Sequence, residues 1–230
     1  MFLKLFLLGF FIAFLLFLAY QADKRKKRIV FLGDSITQQG SMAGGFIGLL
    51  QDCFKNENLT NYEFINAGIG GNKVTDLVRR ADKDVAHKNP KLAIIMIGVN
   101  DVWHKMQGTG NNLSHFEEQY RELINKLLRS QVNIILCTPT VIGEQHDGSN
   151  YLNEALEDYC EVVRKLSTEF HFPLCDARNA FLHYLRENNP EHKYAGVLTS
   201  DGVHLNDKGN HVLAKAIWEV LRQQKLSNLI

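Results

Sequence analysis

The sequence is poor in the features that most directly announce a chemistry. Its 230 residues hold four cysteines, at 53, 137, 160 and 175, and no two of them make a CxxC pair. There is no HExxH, no paired Cys/His set and no Asp-rich loop, so no metal site is expected. The glycines at 68, 70 and 71 do not form GxGxxG and no P-loop occurs, so no cofactor is expected either. The GxSxG elbow of α/β-hydrolase esterases is also missing. Lys and Arg number 26 against 25 Asp and Glu, a net charge of +1. That balance leaves no whole-molecule field to draw in nucleic acid or an acidic polymer. The cysteine spacing gives no disulfide framework; each lies in or beside an apolar stretch, where a free thiol packs as a small hydrophobe.

What is present is enough apolar material, 45% of residues, for one globular domain with a full core. It is preceded by an unusual N-terminus. Residues 2–20 are apolar except for Lys4, and the basic run Lys24-Arg25-Lys26-Lys27-Arg28 follows shortly after. A membrane crossing needs about 20 apolar residues, with a lower limit near 17. Tyr20 and Gln21 stand where a signal-peptide cleavage site wants small residues, which favours an uncleaved anchor over a removed signal. The positive-inside rule would then place the domain in the cytoplasm, whereas export would place it outside, so orientation stays open. The reading is an anchor or signal over 1–22, a basic linker over 23–27 and a single domain over 28–230, with the membrane as a partner through the N-terminus.

Beyond the linker, strand and helix patterns alternate. Short apolar runs at 29–32, 62–66, 92–97 and 132–137 read as strands, and 172–175 as a weaker fifth. Pro173 in that last run argues for an edge position. Helical periodicity covers 46–54, 75–84, 114–129, 150–170 and 207–223, with Ser114 and Glu117 read as a capping box. Residues 176–206 receive no element. Five strands alternating with helices predict a three-layer α/β/α fold around a parallel sheet. In such sheets ligands bind beyond the carboxyl ends of the strands, so the residues there are the candidates for chemistry.

The first strand runs into Gly33-Asp34-Ser35. The second runs into Asn66-Ala67-Gly68-Ile69-Gly70-Gly71-Asn72, and the third into Gly98-Val99-Asn100-Asp101. Asp201-Gly202-Val203-His204 precedes the last helix. A serine hydroxyl at an exposed turn becomes a nucleophile when a base takes its proton. An Asp and a His three residues apart can be presented to each other by one loop, the carboxylate fixing the imidazole tautomer. Asp34 and Asp101 are read as holding their loops through backbone N–H groups. Trp103 and His104 either line a substrate pocket or pack under the loop that runs to Leu113. Residues 138–150 and 188–200 are expected to shape the pocket walls.

These four blocks, in this order, resemble the SGNH (GDSL-type) hydrolase family over about residues 28–225, with Ile36 where the family's first block usually has Leu. The resemblance implies a flavodoxin-like five-stranded sheet in the order 2-1-3-4-5. It implies Ser35 as nucleophile, His204 as base and Asp201 as its orienting partner. The oxyanion donors would be the Ser35 and Gly71 N–H groups and the Asn100 side chain. Among the neighbouring glycines, 68 and 70 stay open as alternatives to Gly71. The implied activity is hydrolysis of carboxylic esters, small-acyl or lipid, through an acyl-enzyme. Two alternatives stand beside it: an O-acetylesterase or acetyl transferase acting on envelope sugars, and a membrane-tethered binding module without catalysis.

Overall fold

The computed structural model describes residues 26–224 together with Phe11 and Phe14. Apart from Phe11 and Phe14, the expected N-terminal anchor lies outside the described residues. Among the described residues, no helix is long and apolar enough to cross a membrane.

Five parallel strands form one sheet in the order β2-β1-β3-β4-β5. They are β1 (Lys27–Gly33), β2 (Tyr62–Gly68), β3 (Leu92–Met96), β4 (Asn133–Cys137) and β5 (Leu174–Cys175). The three-layer architecture and strand order expected from the sequence are the observed ones. Lys27 of the basic run is the first residue of β1. Ile29, Val30, Leu32 and all of β3 are buried, as a strand covered by helices on both faces requires. β5 has only two residues and lies at the edge, next to Pro173. That proline has no N–H to give a ladder, but its carbonyl accepts a bond from Leu136 N at 3.1 Å.

Eight α-helices complete the described chain: α1 (Ser35–Gln39), α2 (Phe46–Asn56), α3 (Val74–Asp84), α4 (Val99–Trp103), α5 (Leu113–Arg129), α6 (Tyr151–Phe170), α7 (Ala177–Asn188) and α8 (Asp207–Gln223). Right-handed crossovers sort them into layers. The chain steps from β1 to β2 in one direction, then back over β1 to β3, so α2 and α3 fall on opposite faces. α3 packs on α5, and α5 on α6; on the other face α8 packs on both α2 and α7. Phe46, Leu50 and Phe54 of α2 and Leu213, Ile217 and Leu221 of α8 are buried. Burying an aliphatic or aromatic side chain of this size stabilises by roughly 1.5–3 kcal/mol.

Some local expectations are corrected. The capping box at Ser114 and Glu117 does not form. Asn112 is the N-cap, its side-chain oxygen accepting from His115 N at 2.8 Å, which places Ser114 inside the first turn. Glu117 instead pairs with Arg121 and Lys165. Helix α7 occupies a stretch given no element. It is capped by Asp176 and buries Ala177, Phe181 and Leu185 at four-residue spacing. All four cysteines are free; Cys137, Cys160 and Cys175 are buried and Cys53 is partly so.

Candidate active site

The sheet register brings the candidate residues together. Gly33, the last residue of β1, lies level with Gly68 of β2 and Met96 of β3. Ser35, the glycine loop and Asn100 follow those three aligned ends by a few residues each, so they share one rim. β1 and β3 flank the point where the chain reverses its direction of travel across the sheet, the place where an open α/β sheet forms a crevice.

Ser35 is the first residue of α1. Asp34 caps that helix, its Oδ1 accepting from Ile36 N at 3.0 Å, and the α1 turn proceeds without using the Ser35 N–H. Glycine at 68 lets α1 lie against the end of β2, because a Cβ there would sit 2.1 Å from Gln38 N.

His204 arrives from far along the chain. Thr199 and Leu205 form an antiparallel bridge, and the residues between them make a short loop above Ser35. His204 Nε2 lies 2.9 Å from Ser35 Oγ, and His204 Nδ1 lies 2.6 Å from Asp201 Oδ2. With the carboxylate on Nδ1–H, Nε2 is the free acceptor and Ser35 donates to it. The other Asp201 oxygen accepts from Val203 N at 3.0 Å and His204 N at 2.8 Å, so the loop backbone orients the carboxylate. Burial works to raise the Asp201 carboxyl, but the His204 ring and the two N–H groups outweigh it and hold the group below the usual range.

The glycine loop distinguishes its three candidates. Gly68 ends β2 under α1, and Gly70 donates its N–H to Gln38 Oε1 at 3.0 Å. Gly71 has φ +74°, open space where a Cβ would stand, and an N–H without an acceptor among the described residues. It occupies the third position of the turn closed by Asn72 N on Ile69 O, where positive φ is required. Asn100, on α4, is buried and donates one side-chain N–H to Asn72 O at 3.0 Å, leaving its second N–H uncommitted.

Two buried carboxyls brace these loops, as read from the sequence. Asp101 accepts from Val74 N with both oxygens at 3.3 Å and from Asn111 Nδ2 at 2.6 Å. Burial pushes it up to about 6 against those bonds. Asp34 is pushed up to about 7, by burial above all; the Ile36 N–H opposes the rise and the nearby Asp101 adds to it. Trp103 closes α4 with its ring partly buried against the core, and His104 follows it. Burial lowers the His104 imidazole, helped by Lys73 and opposed by Asp76, which places that ring near the start of α3. Neither side chain bonds to Ser35, Asp201 or His204.

Two further residues belong to this rim, and the sequence reading did not single them out. Arg80 of α3 donates to Gly33 O and Ala67 O, both at 2.7 Å, and to Asn72 Oδ1 at 2.8 Å, while pairing with Asp84. It ties the nucleophile strand to the glycine loop, and through Asn72 to Asn100. Glu144, in the stretch 138–150, is fully buried and bonded to residues 197–199, just ahead of the histidine loop. Clefts of about 810 and 700 Å³ lie elsewhere, one by Phe170 and Phe172 and the other between α7 and α8, and neither contains Ser35 or His204.

Comparison with known proteins places the whole described domain among esterases. A family model described as GDSL-like lipase/acylhydrolase matches residues 31–212. The solved structure of an acetyl xylan esterase, AlAXEase, is 45% identical to this chain, with a TM-score of 0.82 over 84% of this chain and 99% of that one. The acetylxylan esterase of Geobacillus stearothermophilus is 29% identical over 211 residues, 83% of this chain and 91% of the relative. An isoamyl acetate-hydrolyzing esterase 1 homolog of Rattus norvegicus is 24% identical over 220 residues, 88% of this chain and 84% of the relative.

Proposed function

This chain belongs to the GDSL-like lipase/acylhydrolase family and is a carboxylic ester hydrolase, and on that premise we propose that it removes acetyl groups from hydroxyl-bearing carbohydrate, using Ser35, His204 and Asp201 as its catalytic residues. The observation that carries the assignment of residues is the line of contacts from Asp201 Oδ2 through the His204 ring to Ser35 Oγ, 2.6 and 2.9 Å long.

In the proposed reaction, Ser35 Oγ attacks the ester carbonyl while its proton passes to His204 Nε2. The imidazolium so formed is stabilised by Asp201. The carbonyl oxygen, now negative, is received by the Ser35 N–H, the Gly71 N–H and the free N–H of Asn100. His204 then gives its proton to the leaving sugar oxygen, and the acyl group remains on Ser35. Water, deprotonated by the same ring, attacks the acyl-enzyme; collapse releases the acid and restores the Ser35 hydroxyl. A sugar hydroxyl in place of that water would make the enzyme an acetyl transferase.

Acetyl is favoured over a long acyl chain because the relatives named above share it, with a polysaccharide or a small alcohol as the other half of the ester. Trp103 and His104 are the proposed wall of the alcohol side. The apolar segment 2–20 and its basic flank support a tether to a membrane or passage through one. Hydrolysis rates over an acyl series from acetyl to dodecanoyl, with acetylated xylo-oligosaccharide and isoamyl acetate alongside, test the proposal. It predicts a steep fall beyond short acyl groups and a higher kcat/KM for the sugar ester. Efficient cleavage of long-chain esters would refute it.

A further inference from the structure

We propose that Glu144 is the positioning residue of the acid–base arm: a buried carboxylate that sets where Asp201 and His204 stand relative to Ser35. Glu144 has no exposed surface. No Lys, Arg or His pairs with it among the described residues. A buried carboxylate in that situation is costly unless hydrogen-bond donors replace its water. Here they come from one short segment. Oε2 accepts from Val197 N at 2.8 Å; Oε1 accepts from Leu198 N at 2.6 Å, from Thr199 N, and from the Thr199 hydroxyl at 2.7 Å.

That segment is the base of the histidine loop. The Thr199 hydroxyl, donating to Glu144, accepts from Gly202 N at 3.0 Å, inside the Asp201–His204 turn. Ser200 N bonds to His204 O at 2.8 Å, closing the loop onto its own stem. The backbone around Glu144 grips from the other side: Gly143 N donates to Gly202 O at 2.7 Å and Glu144 N to Tyr194 O at 2.8 Å. The 138–150 stretch therefore shapes the site by holding the chain that carries the base. An imidazole must meet the Ser35 hydroxyl at hydrogen-bond distance, and misplacement by about 1 Å costs on the order of a hundredfold in rate.

The inference rests on His204 being the base, and the test separates the two. Glu144→Gln keeps size and one acceptor oxygen, but turns an NH₂ toward either Val197 N–H or the donors at 198 and 199. Thr199→Val removes the hydroxyl that links Glu144 to Gly202 and is the milder companion should the first variant fail to fold. Each is measured for kcat and KM on an acetyl ester, alone and combined with His204→Ala, with thermal melting as a check on folding. We expect Glu144→Gln to lower kcat about ten- to a hundredfold, with KM changed less than threefold. Thr199→Val should act in the same direction more weakly. Both losses should vanish in the His204→Ala background, because residues acting as one unit are not additive. Equal losses in both backgrounds, or unchanged kcat in folded protein, overturn the role of Glu144. Wild-type turnover by His204→Ala alone would instead overturn the assignment of the base.

Discussion

The ring nitrogen of His204 and the hydroxyl of Ser35 meet at 2.9 Å although 169 positions separate them in the chain. Ser35 sits on a turn fixed by the sheet, whereas His204 rides on an irregular loop. The contact therefore measures how well two differently built parts of the protein are registered. If it is the proton-transfer contact, Ser35→Ala lowers kcat by at least about four orders of magnitude, as deletion of a triad serine does. A fluorophosphonate should label Ser35 in the wild type and leave the variant unmarked; turnover near wild type after the substitution would end the proposed mechanism.

Asn100→Ala should lower kcat about a hundred- to a thousandfold, the usual effect of removing one oxyanion donor, and less than the serine substitution does. KM should change little, because the donor acts on charge present only in the transition state. A loss confined to KM would show Asn100 to be a substrate-binding group.

Gly71→Ala separates conformation from access. The site is open around the position, so the substitution meets no clash, and its folding cost is the strain of φ +74°, about 1 kcal/mol. In a chain of this length that is a drop of about 2–4 °C in Tm. Activity should suffer more than stability, as the new methyl group enters the space beside the proposed N–H donor. A melting shift with unchanged kcat/KM would remove Gly71 from the oxyanion site and return attention to its neighbours.

Arg80→Met and Arg80→Lys should both slow turnover about tenfold or more, from displacement of the glycine loop and Asn100. Arg80→Met should also destabilise the fold by about 3 kcal/mol, since it leaves Asp84 without its cation in a largely buried ion pair. Lysine is no rescue because its single ammonium cannot reach Gly33 O, Ala67 O and Asn72 together as the guanidinium fork does. Lysine at wild-type rate would show that charge alone is what the position supplies.

Asp34→Asn should stabilise the protein in a pH-dependent way. Burial raises the folded-state carboxyl from 3.8 to about 7, so the folded protein binds the proton more tightly than the unfolded chain. The wild type therefore loses stability as pH rises from about 4 to about 7, with an upper bound of about 4 kcal/mol. Asparagine keeps an oxygen for Ile36 N and carries no charge, so its advantage in urea midpoint should grow across that interval and level off above it. A constant difference between pH 4 and 8 would contradict the burial effect.

How much of this was readable beforehand depends on how local the determinants are. β1 and β3 are contiguous apolar runs, and α5 and α8 carry apolar faces at helical spacing, so each announces itself within its own residues. Ser35, Asn100, Asp201 and His204 stand out as candidates because each lies in a short block at a strand end or loop, and the four blocks together carry the family resemblance. Helix α7 was missed although Ala177, Phe181 and Leu185 carry a four-residue period, because polar neighbours dilute it. Arg80 and Glu144 gave no local signal at all. Arg80 reaches partners 13 and 47 positions away, and Glu144 reaches partners 53–55 positions away. Only the folded path of the chain shows that one joins two loops and the other carries a third.

The common direction of the five strands has a practical consequence. Lys27 opens β1 and Ser35 lies just past its end, separated by a rise of about 20 Å through the body of the sheet. Whatever precedes residue 27, whether leash, affinity handle or fused partner, joins the domain at the pole facing away from the rim that carries Ser35. A domain immobilised from that end keeps that rim turned outward, so that the carbohydrate proposed as substrate meets it without the attachment standing in the way.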